Sequence, residues 1–181
     1  MTDNLPKYKY SDIKARSTVD ILLRTTQQTH ALLSQMADQK ANIIIAASSI
    51  ILTLALSNLG LKDIQYGLAT LAFFTMISSV MAILAVMPLF SPTISGKKIK
   101  QRFNPVFFGH FAKFSREEFE QNMIRILTRD ETTYETLVND IYQAGRVLYY
   151  KKYRYLRLSY SMFLAGIILS VIVMAIQKIY F

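Results

Sequence analysis

ANIIIAASSIILTLALSNLG, residues 41–60, runs for twenty residues without a charged side chain. Coiled as a helix, it is long enough to cross the ~30 Å hydrocarbon layer of a bilayer. A second uncharged run, from Tyr66 to Phe90, carries Phe73, Phe74, Ile77, Val80, Ile83, Leu84 and Val86 and reaches Pro88, which ends a helix readily. Only Leu61 to Gln65 separates the two, so they read as a hairpin. A third span runs from about Leu158 to Ile176, with Lys178 and Tyr180 at its outer edge. Three such blocks in 181 residues, with 52% hydrophobic residues overall, describe an all-α integral membrane protein rather than a soluble bundle.

Orientation follows from where Lys and Arg fall, because cytoplasmic loops carry the excess. Six of the 21 precede the first span (Lys7, Lys9, Lys14, Arg16, Arg24 and Lys40), and thirteen lie between Ser91 and Arg157. Lys62 alone is in the hairpin turn, and Lys178 alone follows the third span. The expectation is an N-terminus in the cytoplasm and a C-terminus outside. The first forty residues lack the pattern of a secretory leader, so the first span is expected to serve as its own insertion signal. Most of the basic residues behind the net charge of +9 stand beside hydrophobic blocks, where they set topology and meet anionic lipid. A lipid bilayer, not nucleic acid, is the expected partner. With no Cys, the chain has neither disulfides nor thiol chemistry.

Four regions result. Residues 1–40 are a cytoplasmic segment whose Val19, Leu22, Leu23, Thr26, His30, Leu33 and Ala37 recur at helical spacing, a helix expected to run on into the first span. Residues 41–90 are the transmembrane hairpin, with spans at about 41–60 and 66–90. Residues 91–157 are a cytoplasmic loop and long helix, and residues 158–181 the third transmembrane helix with a short external tail. Within the third region SPTISGKKIKQRFNP reads as a loop, followed by Phe103, Phe107, Phe108, Phe111 and Phe114. Ser115 and Glu118 have capping-box spacing and mark a helix start. Leu127, Tyr134, Ile141, Leu148 and Tyr155 repeat every seven residues, a seam for the N-terminal helix or for a second subunit, with a break expected near Asp130.

No nucleophile elbow, metal-binding His pair or phosphate-cradling Gly loop occurs, so no catalytic residue and no metal site is expected. Small and hydroxylated residues mark the spans: Ser49, Thr53 and Ser57, Thr75 and Ser79, Ser78 and Ala82, Gly166 and Ser170. They permit close helix approach within one subunit or an oligomeric, water-lining face. Asp38, Lys40 and Asn42 stand at the mouth of the first span, either as a boundary or as a gating or oligomer contact together with Ser49 and Thr53. Arg125 and Arg129 lie one turn apart, too far from the spans to serve topology alone. With His110, Asn104 and Lys113 they form a candidate anion site, set against the plain alternative of a solvated helix face.

The run MADQKAN, residues 36–42, and the run FFGHF, residues 107–111, in their order and position relative to the spans, resemble the membrane effectors of bacterial Pycsar anti-phage systems. The likeness extends over Asp20 to Thr53 and Phe103 to Met123. It implies an effector that responds to a cyclic pyrimidine mononucleotide, cyclic UMP or cyclic CMP, made by a partner nucleotide cyclase. The response is impairment of the inner membrane and abortive infection. On that resemblance Arg125, Arg129, Phe108 and His110 are assigned to ligand binding, and a homo-oligomer is expected. A membrane adaptor that recruits a partner through its cytoplasmic helices, or a holin-like channel, is the alternative.

Overall fold

The structure, a computed structural model, describes residues 8–58, 65–88 and 104–180. The 91–105 loop, but for its last two residues, and the hairpin turn, but for Gln65, lie outside the described residues, as do Phe103 and the ends expected for the first two spans. Among the described residues every regular element is helical and none is a strand.

After a short 3-10 turn, Tyr10–Asp12, comes α1, Ser17–Ser57, one unbroken helix that carries both the amphipathic segment and the first span. Asp20 in its first turn complements the helix dipole, and at its far end Asn58 Nδ2 donates to the Leu54 carbonyl at 2.8 Å. Helix α2 is Gln65–Val86. It stops just before Pro88, because the residue preceding a proline is pushed out of the helical region. A single turn, α3, Phe108–Phe111, precedes α4, Arg116–Leu127. The capping box forms as read: Ser115 Oγ accepts from Glu118 N at 3.2 Å and Glu118 Oε2 from Ser115 N at 3.0 Å.

The chain breaks at Thr128 and Arg129. There the Thr132 and Thr133 hydroxyls donate to the carbonyls of Ile126 and Arg129, occupying acceptors that the end of α4 leaves open. Helix α5, Asp130–Val147, passes through a π-helical turn, Leu148–Tyr153, into α6, Arg154–Tyr180. Helix α1, helix α2 and the Asp130–Tyr180 helix are each long and apolar enough to cross a membrane. The break takes Leu127 out of the seven-residue seam. Leu127 ends 64% exposed, whereas Tyr134 and Leu148 are buried.

The chain divides into two compact units. The first comprises residues 1–31 and 88–145, and the second 32–87 and 146–181. In the second unit Ala37, Ala41, Ile44, Ala82, Ala85 and Leu156 form the buried cluster, with Ile45, Val86, Tyr153, Tyr155 and Phe163 packed on it. Four of those six are alanine. Lipid chains are as apolar as leucine, so spanning helices gain by close backbone approach rather than by hiding large side chains. Helices α2 and α6 run antiparallel. Ser78 Oγ donates to the Ser159 carbonyl and Ser159 Oγ to the Ser78 carbonyl, both at 2.8 Å. Further along, Gly166 lies so close to Phe74 that a Cβ on it would sit 2.6 Å from the Phe74 Cβ. The spacing therefore requires glycine there.

Candidate functional site

Two constellations of polar side chains stand out, one in each unit. In the first unit the centre is Asp140 on α5. Its two carboxylate oxygens accept from Gln27 Nε2 of α1 at 2.9 Å and from Asn104 Nδ2 at 2.7 Å. Asn104 is only 2% exposed. Its Oδ1 accepts from Val106 N at 3.1 Å and its backbone N–H donates to His110 Nδ1 at 3.0 Å, which pins the segment entering α3. One ring further, Phe107 meets His110 edge-on with centroids 5.3 Å apart, and Phe108 at 4.9 Å.

Two turns back along α5, the buried Tyr134 donates its hydroxyl to Asp20 of α1 at 3.0 Å. Burial, reinforced by that carboxylate, raises the phenol's pKa above its usual 10.0. Beyond Asp140, Gly145 faces His30, whose Nδ1 is buried without a partner. From Asp20 with Tyr134 to Gln27 with Asp140, numbers rise together, so α1 and α5 run parallel here.

Of the residues that the sequence assigned to ligand binding, His110 is thus built into the Asn104 network, while Phe108 presents a ring 59% exposed. Arg125, in the last turn of α4, and Arg129, in the turn after it, are exposed. Neither is drawn into the Asp140 cluster. Lys113 is exposed as well.

The second constellation joins three helices at one end of the second unit. Lys152 Nζ donates to both oxygens of Asp38 at 2.6 and 2.7 Å and to Ser34 Oγ at 2.7 Å. The Lys152 side chain is 16% exposed and that of Asp38 40%. Next to it, Lys151 Nζ donates to the Met87 carbonyl just past the end of α2. Burial, and after it the neighbouring Lys152 charge, lowers the Lys151 pKa from its usual 10.5. Tyr153 Oη donates to the Leu33 carbonyl at 3.3 Å, and Tyr160 Oη to that of Lys40 at 3.4 Å. Around this joint the exposed Tyr149 and Tyr150 stack edge to face, with the Arg146 guanidinium over the Tyr150 ring at 5.6 Å.

Among the residues assigned to gating, only Asp38 ties two helices together through its side chain. The side chains of Lys40 and Asn42 are exposed. Ser49 and Thr53 are exposed too, and each donates its hydroxyl to its own helix, to the Ile45 and Ser49 carbonyls at 2.8 and 2.9 Å. Sequence reasoning passed over Asp140, Gln27 and Ser34. Nothing local marks them, since their partners lie over a hundred residues away, apart from Asn104, 36 residues from Asp140. No group of His and acidic residues suited to a metal ion occurs among the described residues.

A family model described as the Pycsar effector protein domain matches residues 21–177 of the chain. The chain belongs to the Pycsar effector family. It is therefore an effector of anti-phage defence, of a family defined by effector function rather than by known catalysis. The match spans both units and all three spanning helices, in keeping with a multi-pass membrane protein. No curated protein and no solved structure matches the chain.

Proposed function

We propose that this effector is a membrane-disrupting device gated by cyclic UMP or cyclic CMP, the product of a partner nucleotide cyclase. On infection, the nucleotide switches the effector and the inner membrane loses its integrity, which aborts phage growth. The observation that carries the reading is the family match over residues 21–177, which joins three spanning helices to a polar helical unit in one effector domain. The distribution of basic residues supports an N-terminus and a 91–157 region in the cytoplasm, where a cyclase product accumulates, and a C-terminus outside. Activity resides in a homo-oligomer, and the chain itself carries out no catalysis.

For the ligand we assign Arg125, Arg129 and Phe108. Arg125 and Arg129 are exposed, and among the described residues no acid of the first unit is bonded to either of them. They suit a cyclic phosphate. The exposed Phe108 ring offers a face on which a pyrimidine base stacks. His110 acts by holding that ring's segment in place. Titration calorimetry of the purified full chain with each nucleotide tests the assignment. Binding by the native chain and at least tenfold weaker binding by Arg129→Ala are expected. Unchanged affinity in the variant removes the site, and absence of binding by the native chain removes direct gating.

The adaptor reading draws on one observation, the exposure of Ile21, Leu22, Ile124 and Leu127 outside the spans. Expression with and without the cyclase separates the two readings, because only a gated effector is harmless alone and toxic with the nucleotide.

A further inference from the structure

Three consecutive residues of the π turn, Lys151, Lys152 and Tyr153, each donate a hydrogen bond to a different point on a neighbouring helix or its end. Lys151 holds the Met87 carbonyl after α2, Lys152 holds Asp38 and Ser34 on α1, and Tyr153 holds the Leu33 carbonyl on α1. An α turn fans three successive side chains across about 200°. The π turn carries one residue more than an α turn, and that extra residue sets α6 in the register at which this one short segment clasps α1 and α2. π turns are rare, so one at a place where, among the described residues, all three spanning helices are tied by side chains of a single segment has a structural reason. The local charges agree. Lys152 is drawn in against the Asp38 carboxylate, and burial together with the Lys152 charge lowers the Lys151 pKa.

We infer that the π turn Leu148–Tyr153 is a register latch. In the resting arrangement it keeps Lys152 on Asp38 and Lys151 on the end of α2, and its relaxation to an α turn rotates α6 by about one residue, roughly 100°, releasing both. This rests on the gated-effector reading above and adds the part that moves. Asp38 and Lys152 are positioning residues in it. They bind no nucleotide, and they set which face α6 turns toward α1 and α2.

The test uses full-length protein in liposomes of phosphatidylethanolamine and phosphatidylglycerol loaded with carboxyfluorescein, with cyclic UMP or cyclic CMP added. Lys152→Asp and Asp38→Lys each break the clasp, and each is expected to raise dye release without nucleotide by about tenfold, a shift in resting population of that size. The double swap, Lys152→Asp with Asp38→Lys, restores the pair and is expected to return release to the native level. Deleting the exposed Tyr149 removes the extra residue of the π turn while leaving the lysines in register with α6. That variant is expected to stay tight and to lose its response to nucleotide.

Single variants as tight as the native chain that still respond to nucleotide overturn the latch, as does a Tyr149 deletion that responds normally. Should the native chain itself release no dye with either nucleotide, the effector reading falls. The clasp is then judged from detergent melting temperatures of the native, single and double-swap proteins. Recovery in the swap upholds it, and no recovery ends it.

Discussion

The two units are held together by opposite means. In the first, long polar side chains reach between helices: Gln27 and Asn104 to Asp140, Tyr134 to Asp20. In the second, alanines, serines and a glycine bring backbones together, and the side-chain bonds between α2 and α6 in its interior are the short reciprocal ones of Ser78 and Ser159. The contrast follows from solvent. Where lipid removes the hydrophobic drive between helices, contact itself must bind them, and small residues maximise contact. Outside the spans, larger side chains can be matched pair by pair, and directional bonds fix which helix meets which.

A bulky residue in the second unit should do the most damage. Ala82 is fully buried among other alanines, and Ala82→Leu forces α2 off its neighbours at a cost of about 3 kcal/mol. A lowered melting temperature in detergent, with faster amide exchange across residues 74–86 and unchanged exchange in 104–145, is the expected result. Loss of protection in both units together would mean that they do not unfold separately. Next in size is Asp140→Ala, which strips two amides of their acceptor and leaves that of the buried Asn104 unpaired, at about 2 kcal/mol. Its signature is lost exchange protection in residues 104–111, with the spans untouched.

The smallest effect sharpens the contrast through pH. Tyr134→Phe deletes one hydrogen bond, the least of the three losses. Because the folded pKa is raised, the native chain holds its proton more tightly than the unfolded chain does. The tyrosine's advantage is therefore complete below 10.0 and lost as pH rises through the folded value. Melting curves of both proteins between pH 9 and 11 are expected to converge at the alkaline end. A gap that stays constant would place the hydrogen bond elsewhere.

What was legible from the residues was whatever is written locally. Uncharged runs of nineteen or more announced the spans, and Ser115 with Glu118 announced the start of α4, because each is decided within one or a few turns. The seven-residue repeat from Leu127 to Tyr155 shows how far local reading reaches. Beyond the turn at Thr128 and Arg129, close to the break expected near Asp130, Tyr134 and Leu148 are buried, but spacing alone gave no sign of the change of pitch at Leu148. Asp38 was singled out for its place at the mouth of a span, yet its partner Lys152 looked like one more topology-setting lysine. A pairing across 114 residues leaves no periodic trace. Asp140 went unremarked for the same reason.

The exposed hydroxyls of Ser49, Thr53 and Ser57 carry one more consequence. Each gives its only hydrogen to a carbonyl four residues back and keeps its lone pairs facing outward. Such a surface asks nothing of the hydrocarbon tails it touches, and it still has acceptors ready when water arrives. A helix finished in this way leaves none of those three hydroxyl hydrogens without an acceptor in lipid, and breaks none of its own bonds where water reaches them.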